Sequence, residues 1–429
     1  MKRSILNHLH NDYTEPIRDP VWKNIYLSRA LLEITKAQKF QKLNRIKQLG
    51  PAYLVYPGAT HTRLNHSLGV FAIAHRLIKH LVAFREVRDL SIQGVKSFLC
   101  AALLHDLGHF PFAHSFKDIG IKSHEELTAE IILESEIADI IREYLQMDPE
   151  PVAAIIDEKM LYRGPVKVSF YRRLLSGVLD PDKLDYLNRD AYFCGVPYGV
   201  QDVDFILGEI RPVQCREIAI TEKGLSAVES LLFAKYLMYR SVYWHKTVRI
   251  ATAMIKKAIV MGLRDGIIEK EQLYGLDDNE FYSLLSRYDY SPFKLVDMVL
   301  KRKLYKLVYR APFDENNKLY GDLTDMNIRT DYEKKLSSAL AKISGRNVHE
   351  SDIIIDIPEP ISFETGLLVY PERGDGSIPF AESLSVFRES TVKGFTGSLR
   401  YLSLLIKRED YLLNAVKKVD MDMWFGTKK

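Results

Sequence analysis

The chain has 429 residues, 47% of them apolar and 27% charged, with a net charge of +4. That is enough for one large or two to three ordinary globular domains, and it excludes a disordered chain. The small net charge, with no basic run interleaved with aromatics, gives no expectation of nucleic-acid binding.

No apolar run approaches the length of a membrane span, and MKRSILNHLHNDY has no apolar stretch suited to a signal peptide. The three cysteines, Cys100, Cys194 and Cys215, lack metal-site spacing, and their odd number argues against a disulfide framework. Cys100, within FLCAALL, reads as a buried thiol. A cytoplasmic setting is expected.

Residues 1–27, with Pro16 and Pro20, read as irregular. From Asn24 to Leu49 apolar residues recur at helical spacing and predict a helical hairpin. PAYLVYPGAT (51–60) reads as a loop or short strand turning at Pro57-Gly58. A helix is expected from Thr62 or Asn65 to Phe84, and a second from Ser91 to Leu107. Further helices are expected through 123–147 and 169–193. Asp180-Pro181 marks a helix start, an N-cap acid followed by proline at the first helical position.

Residues 205–221 read as a short β excursion, and 225–264 as one or two long helices. Beyond about Gly266 the texture changes. A helical stretch over 276–300 precedes KRKLYKLVYRAPF (301–313), SDIIIDIPEP (351–360) and GLLVYPERGDG (366–376), which read as strands. The expectation is a mainly α protein. Residues 1–300 form the main domain, and 301–429 hold a smaller α/β subdomain (about 301–390) and terminal helices.

The chemistry centres on HDLGHFPFAH (105–114). A histidine followed directly by an aspartate at the end of an apolar helix is costly to bury unless a cation compensates. Imidazole nitrogen and carboxylate oxygen together suit Fe, Mn, Zn or Mg. His66 sits among Leu64, Leu68 and Phe71, where a core histidine is the plainer alternative. Asp182, Tyr186 and Asp190 fall on one helix stripe at i, i+4 and i+8, poor core material and good site material.

Four blocks then appear in order: KQLGPAYLVYPGATHTRLNHSLGV (47–70), HDLGHFPFAH, SHEE (123–126) and DPDKLDYLNRDAYFCGV (180–196). They resemble the deoxynucleoside-triphosphate triphosphohydrolases of the HD superfamily. These include the animal enzyme that joins a sterile-alpha-motif domain to an HD domain, and its bacterial relatives. The likeness covers roughly residues 12–250, with a weaker echo in DIIIDIPEP, and no sterile-alpha-motif domain is expected here. It implies an HD-domain helical bundle.

The resemblance also implies roles. His66, His105, Asp106 and Asp182 would hold a divalent metal next to the α-phosphate. His109 and His124 would protonate the departing 5′-oxygen or hold the phosphate, as imidazoles titrating near neutral pH can. Arg63, Lys183 and Lys235 would contact phosphates, with His114 near the α-phosphate. Gln48 and Leu49 would line the sugar, and Tyr186, Asp190 and Tyr243 would pack or hydrogen-bond it, leaving no room for a 2′-hydroxyl.

The sequence departs from the family at Lys117, where the family has an acid that orients a catalytic histidine; Asp118 is out of register. Lys235 replaces an arginine. At the animal enzyme's guanine-sensing site Lys36 replaces an acid and Asn44 an arginine, and only Gln41 agrees, so GTP regulation there is not expected. The substrate implied is a deoxynucleoside triphosphate (dNTP). The alternatives are a nucleotidase or phosphodiesterase for other nucleotides, or a binding protein that has kept the fold. The resemblance further implies a homo-oligomer, dimer or tetramer, in which LLFAKYLMYRSVYWHK (231–246) could serve an interface.

Overall fold

The computed structural model describes residues 2–427 apart from 215, 362, 364, 365 and 373–375, so Cys215 lies outside the described residues. The chain is mainly helical, with three small sheets among the described residues.

The centre of the main helical body is the Ile92–Leu104 helix, started by Ser91, whose hydroxyl accepts from Gly94 N. Every residue from Ser97 to Leu104 is buried, so this helix is covered on all sides. The Arg63–Leu81 helix packs on it, capped by Thr62 with Asn65 returning the bond. The Pro181–Cys194 helix packs on the Arg63–Leu81 helix in turn. It begins at Asp180, whose side chain accepts from Lys183 N, and ends at Gly195 with φ of 66°. These helices carry the site, and their starts agree with the cap signals in the sequence.

Several expectations fail. Residues 1–27 are ordered: a Lys2–Asn11 helix buries Ile5 and Leu9, and Tyr13–Asp19 pairs antiparallel with Lys23–Ser28. The expected helical hairpin over 24–49 therefore begins as a strand. It continues as the short Arg29–Lys36 and Gln38–Gln41 helices and a 3-10 turn at Lys42–Arg45. Of the two readings of 51–60, the loop holds: Gly50–Leu54 is a 3-10 turn. Val203–Glu209 is helical before the Ile210–Val213/Glu217–Thr221 hairpin. The stretch after 390 is not only helical: Tyr401–Ile406 is the central strand of the third sheet, flanked by Lys306–Pro312 and Ile353–Asp356.

The core has three main parts. The largest runs from Ile5 to Leu399 and includes Ile361, Phe363, Leu367 and Val369. Leu368–Tyr370 accordingly pairs in parallel with Glu217–Thr221. A second core gathers on the Lys246–Arg264 helix. A third joins the Lys306–Pro312 sheet to the Met326–Ser344 helix and the C-terminal turns.

Candidate metal and phosphate site

The Ile92–Leu104 helix ends at His105, its C-cap, whose Nδ1 bonds Ala102 O at 3.0 Å. The other ring nitrogen, Nε2, is buried without a partner. His66 presents its Nε2 2.8 Å from Asp182 Oδ1, and His105 Nε2 is 3.9 Å from the same oxygen. The donor atoms of His66, His105 and Asp182 all lie within 4.8 Å of one another. Asp106 stands beside them, 3.4 Å from His105 Nε2 and 4.0 Å from His66 Nε2.

This donor set fits a divalent ion. Two imidazoles and one or two carboxylates converge in a buried place, one nitrogen is orphaned, and such a mixture suits Fe, Mn, Zn or Mg. The side chains expected to hold a metal are thus brought together from three separate helices. Asp106 is shared with Arg63, whose Nη1 donates to its Oδ2 at 2.8 Å. Burial opposes ionisation of Asp106, but Arg63, His105 and His109 outweigh it and hold the carboxyl well below the usual range.

A second cluster adjoins the first. His109 stacks on His124 at 4.0 Å between ring centroids, and His114 lies 4.7 Å from His109. Gly108 makes this possible: a Cβ there would run into His124 O and Thr128 N, so only glycine lets the 105–114 loop lie against the start of the His124–Glu134 helix. Thr128 Oγ1 ties the two segments, accepting from Gly108 N at 2.8 Å and donating to His105 O at 3.1 Å.

The expectation of histidines titrating near neutrality fails here. Burial first, and then the Arg63 charge among others, pushes the His109 and His124 imidazoles down, His124 to about 3. Burial and the neighbouring histidines and Arg63 lower His114 as well. All three are neutral at pH 7 in the free protein. Both nitrogens of His109 are buried without a well-formed hydrogen bond, Nε2 lying 3.3 Å from Asp106 Oδ1.

Both clusters open onto one cleft of about 640 Å³. Gln48, Leu49, Arg63, His114, Tyr186, Asp190, Lys235 and Tyr243 all line it, as do His66, His105, Asp106, His124 and Asp182. Asp190 is fixed between two donors: Tyr243 Oη gives to Oδ2 at 2.7 Å, and His61 Nε2 lies 2.7 Å from Oδ1. Tyr186 meets Tyr243 edge-on at 6.2 Å. Gln48 Oε1 is buried without a partner, and Lys235 lies over the Phe363 ring at 5.7 Å. The DIIIDIPEP segment contributes Asp356, Ile357 and Glu359 to the same wall.

Lys183 and His109 are the exceptions, since neither is among the residues lining the cleft: His109 is fully buried against His114 and His124, and the Lys183 ammonium donates to Gly177 O at 2.8 Å and Asp180 Oδ2 at 2.7 Å. Lys117 does line the cleft, while Asp118 is turned to Lys256 at 2.7 Å. Sequence reasoning missed His61, which stacks on Phe193 at 4.5 Å as it orients Asp190. It also missed Lys42, which donates to His109 O at 3.1 Å and is lowered to about 8 by burial and by Lys39. Nothing local marks either one, since His61 stands in PGATHTRLNH and Lys42 in AQKFQKLNRIKQ, both polar stretches.

The HD domain family matches residues 63–168, and the family of HD associated regions matches residues 202–370. The chain belongs to the HD superfamily. Within it, an uncharacterised protein of Methanocaldococcus jannaschii is 37% identical over 70% of this chain and 61% of its own length. A deoxynucleoside triphosphate triphosphohydrolase of Bos taurus is 28% identical over 72% of this chain and 60% of its own. A crystal structure of a hypothetical protein from Aquifex aeolicus is 26% identical, covers 94% of this chain and 99% of that one, and superposes with a TM-score of 0.70. The chain spans about three fifths of the length of these two curated relatives.

Proposed function

We propose that the chain is a metal-dependent phosphohydrolase that converts dNTPs to deoxynucleoside and inorganic triphosphate. One observation carries this reading. The metal donors, His114 and His124 lie on the same cleft as the paired tyrosines, Gln48 and Leu49, so phosphate chemistry and a sugar-sized pocket share one space. The likeness to the Bos taurus enzyme supports the choice of substrate. A divalent ion held by His66, His105, Asp106 and Asp182 would supply Lewis-acid assistance at the reacting phosphate.

The chain's own residues do the rest. Arg63, Lys117 and Lys235 line the cleft and offer cationic donors to phosphate oxygens. His109 and His124 are neutral before substrate arrives. The negative charge of a triphosphate raises their pKa, so that His124, which lines the cleft with His109 stacked on it, takes a proton from solvent water and delivers it to the departing 5′-oxygen. Asp190, held by His61 and Tyr243, accepts from the sugar hydroxyl, while Leu49 and Tyr243 close on C2′. No helix among the described residues is long and apolar enough to cross a membrane. We place the enzyme in the cytoplasm as a homo-oligomer.

The test is product analysis. Purified protein is incubated with each dNTP and with Mn, Mg, Fe or Zn, and triphosphate is resolved from pyrophosphate and phosphate. Triphosphate as the sole phosphate product supports the reading. Turnover of monophosphates or signalling nucleotides but not of dNTPs replaces it with a nucleotidase or phosphodiesterase.

A further inference from the structure

His66 is gripped from behind as well as from the cleft. Its Nδ1 faces away from the metal donors and lies 2.8 Å from Asp185 Oδ2. Asp185 is fully buried, at 0% exposure, and accepts three further hydrogen bonds. Arg189 Nε donates to Oδ2 at 2.9 Å and Nη2 to Oδ1 at 3.0 Å, and Trp22 Nε1 donates to Oδ1. Arg189, also at 0%, reaches on to Asp19, with Nη1 2.7 Å from Oδ2 and Nη2 3.3 Å from Oδ1. Asp19 in turn accepts from Val21 N at 2.9 Å and Trp22 N at 2.8 Å, which closes the turn of the N-terminal hairpin.

The His66 helix is shaped for this network. Gly69, three residues on, faces the pair, and a Cβ there would run into Asp185 Oδ1 and Arg189 Nη2. Stability alone is a poor reason for it, because buried ion pairs are often matched or exceeded by apolar packing. Orientation is a better one. A carboxylate only accepts, so Nδ1 carries a proton and leaves Nε2 as the atom offered to a metal. The relay holds two carboxylates and one guanidinium, and the surplus negative charge makes the ring a stronger donor.

We infer that Asp185, Arg189, Asp19 and Trp22 form a positioning relay for His66, and that the Tyr13–Asp19/Lys23–Ser28 hairpin is therefore a working part of the metal centre. The inference rests on the metal-centre reading given above. It makes a part of the chain remote in sequence from every donor responsible for metal affinity.

The test measures Mn²⁺ affinity by calorimetry in the full chain and in Asp185→Asn, Trp22→Phe, His66→Ala and Lys257→Met, each checked for folding by circular dichroism. Removing a partner behind a ligating histidine weakens metal binding by about tenfold to hundredfold. That is the loss expected for Asp185→Asn, with a smaller loss in the same direction for Trp22→Phe. Lys257→Met breaks a buried ion pair away from the cleft and controls for general loosening, so its Mn²⁺ affinity should not change. If His66→Ala binds Mn²⁺ as well as the natural protein, the metal-centre reading falls and the relay with it. If His66→Ala loses binding while Asp185→Asn and Trp22→Phe bind unchanged, the relay alone is overturned. Should Asp185→Asn fail to fold, unchanged Mn²⁺ affinity in folded Trp22→Phe overturns it.

Discussion

Metal binding should displace one proton from His66. Burial works against protonating this ring, but the hydrogen bonds and charges of Asp182 and Asp185 outweigh it and raise its pKa to about 10. Both nitrogens face carboxylates, at 2.8 Å each, so both carry protons when no ion is bound. A metal at Nε2 must compete with the proton there. At pH 7 the competition spans three pH units, which costs about 4 kcal/mol of metal affinity at ~1.36 kcal/mol per unit. The Asp106 and Asp182 carboxyls are held below their usual range and contribute no proton near neutrality.

Affinity should therefore rise about tenfold per pH unit between roughly pH 6 and 9 and level off near 10. The assay is calorimetric Mn²⁺ titration at pH 7 in two buffers of different protonation enthalpy, with one proton released per ion. Affinity that is flat with pH, with no proton release, would refute the geometry assigned to His66. The same raised pKa has a consequence for folding without metal. The stabilising contribution of protonated His66 is fully present below about pH 6.5 and is lost as pH rises through about 10.

Other outcomes follow from particular contacts. Asp106→Ala should abolish bound metal and activity in a folded protein, and full metal occupancy in that variant would remove Asp106 from the donor set. Leu49→Ala should raise the ratio of ATP to dATP hydrolysis, measured as kcat/KM, while dATP turnover persists. The unmodified wall should give about a tenfold to hundredfold deoxy preference, the equivalent of one buried hydrogen bond at roughly 1–3 kcal/mol. Lys257→Met leaves Glu333 buried without its 2.5 Å partner and should cost about 3–5 kcal/mol in urea unfolding. A loss under 1 kcal/mol would show that the Ile355 N–H, which donates to Glu333 Oε1 at 2.6 Å, is partner enough.

The helices that carry the site were legible because their caps are local: Thr62, Ser91 and Asp180-Pro181 announce starts without help from the rest of the chain. The run FLCAALL ending in His-Asp marked a central helix for the same reason. What was not legible depends on distant partners. Residues 1–27 looked irregular because their prolines and charges only make sense once Asp19 and Trp22 meet Arg189 and Asp185. Asp185 and Arg189, four apart on a helix, look in sequence like an ordinary surface pair. YLSLLI could be helix or strand by pattern alone, and its two strand neighbours decide it. The depressed pKa values of His109, His114 and His124 come from burial, which no spacing reveals.

The measurement closest to the central claim is hydrolysis of dATP in water enriched in oxygen-18, with mass analysis of both products. If water attacks the α-phosphorus and the 5′-oxygen leaves with the nucleoside, the label lies in triphosphate and deoxyadenosine carries none. Label in pyrophosphate or deoxyadenosine monophosphate, or absence of dATP turnover with any of the four metals, would contradict the account.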